Sequence, residues 1–214
     1  MSFEEKVDML VKYSKSLKDF NIVKPEIPYN HMGATITDAM LQAGTTWETV
    51  VKPRIKNLLS YPEARTTTGF LSLLEREGIK RLLRWDDDEK PHRILKVACF
   101  FETEKIETET DLKTWLKNDD NILKLKKLRG IGNKTADYFK ILVGISTSAI
   151  DRHLIEFLKQ AGNNISINNY RELQKIINKA AEKMKIDKST LDHSIWKYMS
   201  TKKNKRLCKK GHCR

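Results

Sequence analysis

The residues Leu128 to Ala136, LRGIGNKTA, decide how this chain is read. Two glycines, Gly130 and Gly132, flank one apolar residue, Ile131, immediately before a helical pattern. Glycine permits the backbone angles of a tight turn and carries no Cβ that would hold an anionic backbone away. The amides beyond the turn open a helix, and a helix N-terminus favours negative charge. Such a loop can seat a nucleic-acid phosphate. Lys134 adds a nucleophile or a cation at the mouth of the same helix, and a lone acid, Asp151, follows in AIDRHL. A glycine-hydrophobe-glycine turn also serves as a plain helix C-cap, so the turn gains meaning only together with Lys134, the small pair Thr135 and Ala136, and Asp151.

Outward from this stretch the apolar periodicity is helical nearly everywhere. Phe3, Val7, Leu10, Val11 and Leu17 give an amphipathic first helix, which ends before the Pro-containing link VKPEIPYNHMG. ITDAMLQAGTTWETVVKPRIKNLL predicts two helices, broken near Gly44 and again at Pro53. Leu71 to Leu83 and Pro91 to Phe101 are helical, with the acidic Asp86 to Glu89 between them as a solvated cap. Short helices are expected over Asp111 to Leu116, Asn121 to Leu128 and Asn133 to Leu142. Three more follow over Arg152 to Gln160, Asn169 to Met184 and Ser189 to Met199. No β-alternation appears, and the predicted class is all-α.

Composition points the same way. The chain of 214 residues carries 41 Lys and Arg against 28 Asp and Glu, a formal charge of +13, more than solubility requires. A polyanionic partner is the direct implication, a solvated basic surface the plain alternative. Part of the excess lies in residues 201–214, where Lys202, Lys203, Lys205, Arg206, Lys209, Lys210 and Arg214 occur without an acid. Such a tail contacts phosphates without regard to sequence. Cys99, in the apolar run ILKVACFF, is expected to be a buried small hydrophobe. Cys208, His212 and Cys213 in LCKKGHC either chelate a metal or do nothing of the kind, and a closed structural zinc site takes four ligands. No stretch is long and apolar enough for a bilayer span and no signal-peptide pattern is present, so a cytoplasmic protein is expected, nucleoid-associated if prokaryotic. A monomer is expected.

LRGIGNKTA, with Asp151 after it, resembles the helix-hairpin-helix of the endonuclease III superfamily of DNA glycosylases, which includes the 8-oxoguanine glycosylases. The resemblance spans roughly residues 33–158 in arrangement, but only the hairpin and Asp151 match closely. It implies two helical lobes with a DNA-binding cleft. Residues 30–148 would form a six-helix barrel carrying the hairpin at about 121–142, and 1–29 with 149–214 would form the second lobe. Lys134 and Asp151 would then face each other across the cleft. Better-known members carry an iron-sulfur cluster held by four cysteines near the C-terminus. This chain has two there, so no cluster, no metal and no other cofactor is expected.

The chemistry implied is removal of a damaged or mismatched base from duplex DNA after its nucleotide is extruded from the stack. Lys134 would attack the sugar C1′ and form a Schiff base, and Asp151 would help deprotonate it and stabilise the positive sugar. Members with a lysine here also cut the strand, which implies AP lyase activity, with oxidised purine such as 8-oxoguanine the first expected substrate. The alternatives are a monofunctional glycosylase and a non-enzymatic DNA-binding hairpin. DNA contacts are expected from Gly130, Ile131, Gly132, Asn133 and Thr135 in the turn, and from Gln42, which resembles the glutamine that fills the gap left by the extruded nucleotide. Arg54 and Lys56 after Pro53, and His92 and Arg93 after Pro91, join that set, each equally readable as solvated surface, and His153 reads as a helix-face or phosphate-contacting histidine rather than a second base. Asp192 and Trp196 resemble the pocket wall of the small archaeal 8-oxoguanine glycosylases, with core packing the alternative for Trp196. Trp47, Trp85 and Trp115 read as core, and Asp151 also reads as an N-cap of the helix that starts at Arg152.

Overall fold

The chain folds into helices throughout the residues described, 1–163 and 169–209, in the computed structural model, and these contain no strand. In order they are α1 (Phe3–Ser16), α2 (Met32–Leu41), α3 (Lys52–Leu58), α4 (Thr67–Glu77), α5 (Ile79–Leu83), α6 (Glu89–Thr103) and α7 (Glu109–Trp115). Then come α8 (Asp119–Leu125), α9 (Asn133–Leu142), α10 (Arg152–Gln160), α11 (Tyr170–Lys183) and α12 (Lys188–Lys209). Contacts divide the chain into two units, Met1–Pro25 with Ser146–Arg214, and Glu26–Ile145.

The Glu26–Ile145 unit is built around α2. Every residue of that helix is buried, which makes it a central helix rather than a surface one. It packs against α3, α4, α6 and α9, and its core neighbours include Phe70, Leu73, Ile94, Phe101 and Phe139. A helix buried all round must satisfy its polar side chains internally. At the N-terminal end, His31 caps α2 by accepting from the Ala34 amide through Nδ1 at 3.1 Å, and its Nε2 meets the Tyr61 carbonyl at 3.0 Å. The buried carboxylate of Glu109 accepts from the amides of Asn30 and His31 and from the Thr35 hydroxyl. At the other end Lys90 donates to the Leu41 and Ala43 carbonyls, closing the helix C-terminus.

The other unit is held by α1, α10, α11 and α12 around Leu10, Leu154, Phe157, Ile176, Ile177, Leu191 and Ile195. Lys6 pairs with Glu172 at 2.5 Å and Lys183 with Asp8 at 2.7 Å, tying α1 to α11 beside that apolar seam. Tyr13, Phe20 and Tyr198 ring Phe157 at centroid distances of 5.1, 5.4 and 6.0 Å.

Several local expectations are corrected. Pro53 does not break a helix. A π-helical turn, Trp47–Val51, runs directly into α3, and Pro53 lies in the first turn of α3, where its missing N–H is not needed. The predicted helix over Leu71 to Leu83 divides into α4 and α5 at Gly78, where φ is +74°. Cys99 is exposed. Helix α6 buries Pro91, Ile94, Val97, Ala98 and Phe101, a stripe at helical spacing from which Cys99 is excluded. Trp47, Trp85 and Trp115 pack against the core but are only half-buried. The indole N–H groups of Trp85 and Trp115 reach outward to Asp87 at 2.7 Å and Glu104 at 3.0 Å. The last helix continues past Met199 to Lys209. The Cys208 side chain, together with His212 and Cys213, lies outside the described residues.

Candidate functional site

The turn that joins α8 to α9 is a β-turn from Leu128 to Ile131, closed by a 3.1 Å bond from the Ile131 amide to the Leu128 carbonyl. Gly130 occupies its third position with φ +93°, a conformation that favours glycine. A Cβ there would also lie 3.0 Å from Arg93 Nη1. Gly132 is different. Its backbone is extended, any residue adopts it, and a Cβ there would meet nothing within 4 Å. What Gly132 supplies is open space at the start of α9 and an N-cap with no side chain. The first helical bond runs from the Ala136 amide to the Gly132 carbonyl at 3.0 Å. The amides of Asn133, Lys134 and Thr135 therefore lie ahead of the helical ladder, at the positive end of a ten-residue helix.

The side chains of this turn divide their work. Ile131 is buried in the core with Leu125, Ala136 and Phe139, so it anchors the turn, and only its backbone can face a ligand. Asn133 is exposed, while Lys134 and Thr135 are half-buried. Arg129 and Arg93 both pair with Glu89, at 2.9 and 2.6 Å, which fastens the turn to the start of α6. His92 is exposed next to them. Arg54 has all three guanidinium nitrogens on the protein's own carbonyls: those of Leu83, Val50 and Arg84, at 2.6 to 2.7 Å. It also lies 4.9 Å from the Trp85 ring centroid.

Inside the same unit, Lys134 has a neighbour that the sequence did not single out. Lys134 Nζ lies 5.5 Å above the ring of Tyr138, one helical turn on. The Tyr138 hydroxyl meets Asp38 Oδ2 at 3.2 Å, and Tyr29 donates to the same oxygen at 2.9 Å. Gln42 Nε2 donates to Asp38 Oδ1 at 2.6 Å and lies 3.2 Å from the Tyr138 hydroxyl. Asp38 is completely buried on α2. Burial pushes its carboxyl up to about 6, against the opposing pull of the Gln42, Tyr29 and Tyr138 hydrogen bonds and the Lys134 charge. Burial and the adjacent carboxylate push the Tyr29 hydroxyl well above its ordinary range. A lone acid in ITDAMLQ reads as the solvated position of an amphipathic helix. The only sequence signal against that was how apolar its surroundings are.

Asp151 lies in the other unit. It is the N-cap of α10: Oδ1 accepts from the amides of His153 at 2.8 Å and Leu154 at 3.0 Å, and Oδ2 meets His153 Nδ1 at 3.0 Å. The segment leading into it is pinned from both sides. Asp192 on α12 accepts from the Ala149 amide at 2.8 Å, and the Tyr170 hydroxyl accepts from the Ile150 amide at 3.2 Å. Asp192 therefore supports the backbone just ahead of Asp151. Trp196 is half-buried against the core of this unit and stacks on His193 at 5.7 Å.

Among the described residues no group of three or more His, Cys, Asp or Glu is placed to hold a metal ion, and no helix is long and apolar enough to cross a membrane. An all-helical chain with a glycine turn, an uncapped helix start and a lysine at that start is the class these elements define. Over residues 8–200 the chain matches the model of a family described as a domain of unknown function (DUF8548), and it belongs to that family. No curated protein and no solved structure matches it.

Proposed function

We propose that this chain is a DNA repair glycosylase of the helix-hairpin-helix type with AP lyase activity, excising a damaged or mismatched base from duplex DNA. The observation that carries the reading is the start of α9: a Gly130 turn, a bare Gly132 cap with open space beside it, and Lys134 in the first helical turn. The bare cap leaves room beside that backbone for a phosphodiester, and the charge of +13 favours a polyanion. On this reading Glu26–Ile145 corresponds to the six-helix barrel of the superfamily and the remaining unit to its second lobe.

The reaction assigns Lys134 as nucleophile. Its neutral amine bonds to C1′ as the base departs with the glycosidic electron pair, and ring opening yields a Schiff base. The Asp151 carboxylate stabilises the positive charge that grows on the sugar. Oxidised purine remains the first substrate to try. The test is a panel of duplex oligonucleotides with different lesions, assayed with and without alkaline cleavage, alongside borohydride trapping. A covalent adduct and direct strand cutting that vanish in Lys134→Gln are expected. Base release that needs alkali to reveal it, with no adduct, would instead make the protein a monofunctional glycosylase. Binding without any release would make it a DNA-binding module.

A further inference from the structure

Resting on Lys134 as the reacting amine, we propose that Asp38 is a positioning residue for Lys134, acting through Tyr138. The carboxylate anchors the Tyr138 hydroxyl and the ring face seats the amine, so the pair sets where the amine stands.

The argument starts from what Asp38 is doing inside a helix that is buried on every side. An ionised carboxylate is costly in such a place unless it is paired. The groups that donate to Asp38, namely Tyr29, Gln42 and Tyr138, are all neutral. An asparagine would fill the same space without the charge. A buried charge that packing does not require, joined by one hydroxyl to the ring beneath the candidate nucleophile, is placed to act on that nucleophile. The Glu109 cluster offers the contrast. Glu109 is nearly as buried, but it accepts from two backbone amides and a threonine hydroxyl, groups that would otherwise be orphaned, and packing alone accounts for it.

Among the described residues of this unit, the ionisable groups around the cluster include those of four elements. They are Asp38 on α2, Lys134 and Tyr138 on α9, Tyr29 and Glu26 on the segment before α2, and Glu109 on α7, the last two acting on Tyr29. Asp137 and Lys140, 3.7 Å apart, lie on α9 near Tyr138 in sequence. Of these, Asp38 is the acid joined to the ring that carries Lys134.

The test reads the lysine itself, without DNA. Reductive methylation of the full chain with ¹³C-formaldehyde labels the amines, and the Lys134 signal is the one missing from Lys134→Gln. In Asp38→Asn that signal should titrate at lower pH, by about one pH unit, because an anion no longer favours the ammonium. Tyr138→Phe keeps the ring and loses the anchor. It should shift the titration as well and lower kcat several-fold at unchanged KM. A Lys134 titration identical in wild type, Asp38→Asn and Tyr138→Phe overturns the proposal, whatever the activity. If the titration moves but no lesion is processed, the coupling stands and the glycosylase reading falls.

Discussion

The starts of α9 and α10 share the same backbone physics and have opposite occupants. Both present unladdered amides at the positive end of a helix. At α10 the chain supplies its own anion, Asp151, which takes the His153 and Leu154 amides. At α9 the cap is Gly132, which has no side chain to give, and a Cβ there would meet no atom within 4 Å. One helix start is finished by the fold. On the proposed reading the other is finished by a phosphate, and a capping residue such as Ser, Thr or Asp in place of Gly132 would compete with it.

The strongest break of this comparison separates the capping of Asp151 from its charge. Asparagine caps as well as aspartate, so Asp151→Asn should leave stability within about 0.5 kcal/mol. The proposed chemistry needs the carboxylate, and base release should fall by about 10²- to 10⁴-fold while DNA binding is kept. Single-turnover excision beside a binding titration reads both. If the variant releases base at the wild-type rate, Asp151 is a cap and no more.

The next prediction concerns the acid that is not at a helix start. Asp38 folds with its carboxyl raised from 3.8 to about 6, so the folded state holds a proton the unfolded state has lost. Stability contributed at low pH is therefore lost as pH rises from about 4 through about 6, amounting to about 3 kcal/mol. Asp38→Asn should raise stability near pH 7 by about 2 to 3 kcal/mol in urea unfolding and flatten that slope. Gain of stability with loss of Lys134 control is the signature of a residue kept for function rather than packing.

These two acids also show where the sequence could be read. The extents of α9 and α10 follow directly from Gly132 and Asp151, because helix starts are local and depend on a few neighbouring residues. The all-α class follows from apolar spacing, which is local too. Asp38 escaped notice because its burial depends on α2 being surrounded by α3, α4, α6 and α9, contacts between residues distant in sequence. Cys99 failed in the opposite direction: an apolar run says little about which face a given residue occupies. Arg54 has a chemistry suited to phosphate, and nothing in its sequence neighbourhood announced that three carbonyls would occupy it.

The two glycines of the turn sharpen the comparison at α9 itself. Gly130→Ala forces a side chain into φ +93° and against Arg93, and should cost about 1 to 2 kcal/mol of stability. Gly132→Ala meets no atom and should change stability by less than about 0.5 kcal/mol. It should nevertheless weaken DNA binding, because its methyl group occupies the space offered to the phosphate. Thermal unfolding and a salt-dependent binding titration of both variants distinguish the two roles. Gly132→Ala that binds DNA as wild type does would mean that the open cap is not the phosphate seat.

The smallest expected effect belongs to a third helix start, that of α2, which uses a neutral imidazole as its cap. His31 Nδ1 accepts from the Ala34 amide and Nε2 faces the Tyr61 carbonyl, so the ring carries its hydrogen on Nε2. Protonation would set a second N–H against the Ala34 amide. Burial lowers the His31 pKa below its ordinary 6.5. The unfolded chain therefore takes up the proton first, and stability that is complete above about pH 6.5 falls as pH drops below it. Between about pH 4 and 6.5 this runs against the larger Asp38 titration, so in wild type the Asp38 slope masks it. In an Asp38→Asn background the His31 contribution stands alone, as a loss of stability that sets in as pH drops below about 6.5. Adding His31→Asn, which keeps a capping side chain without a titration, should remove it. A slope that persists in the double variant would place the titrating group elsewhere.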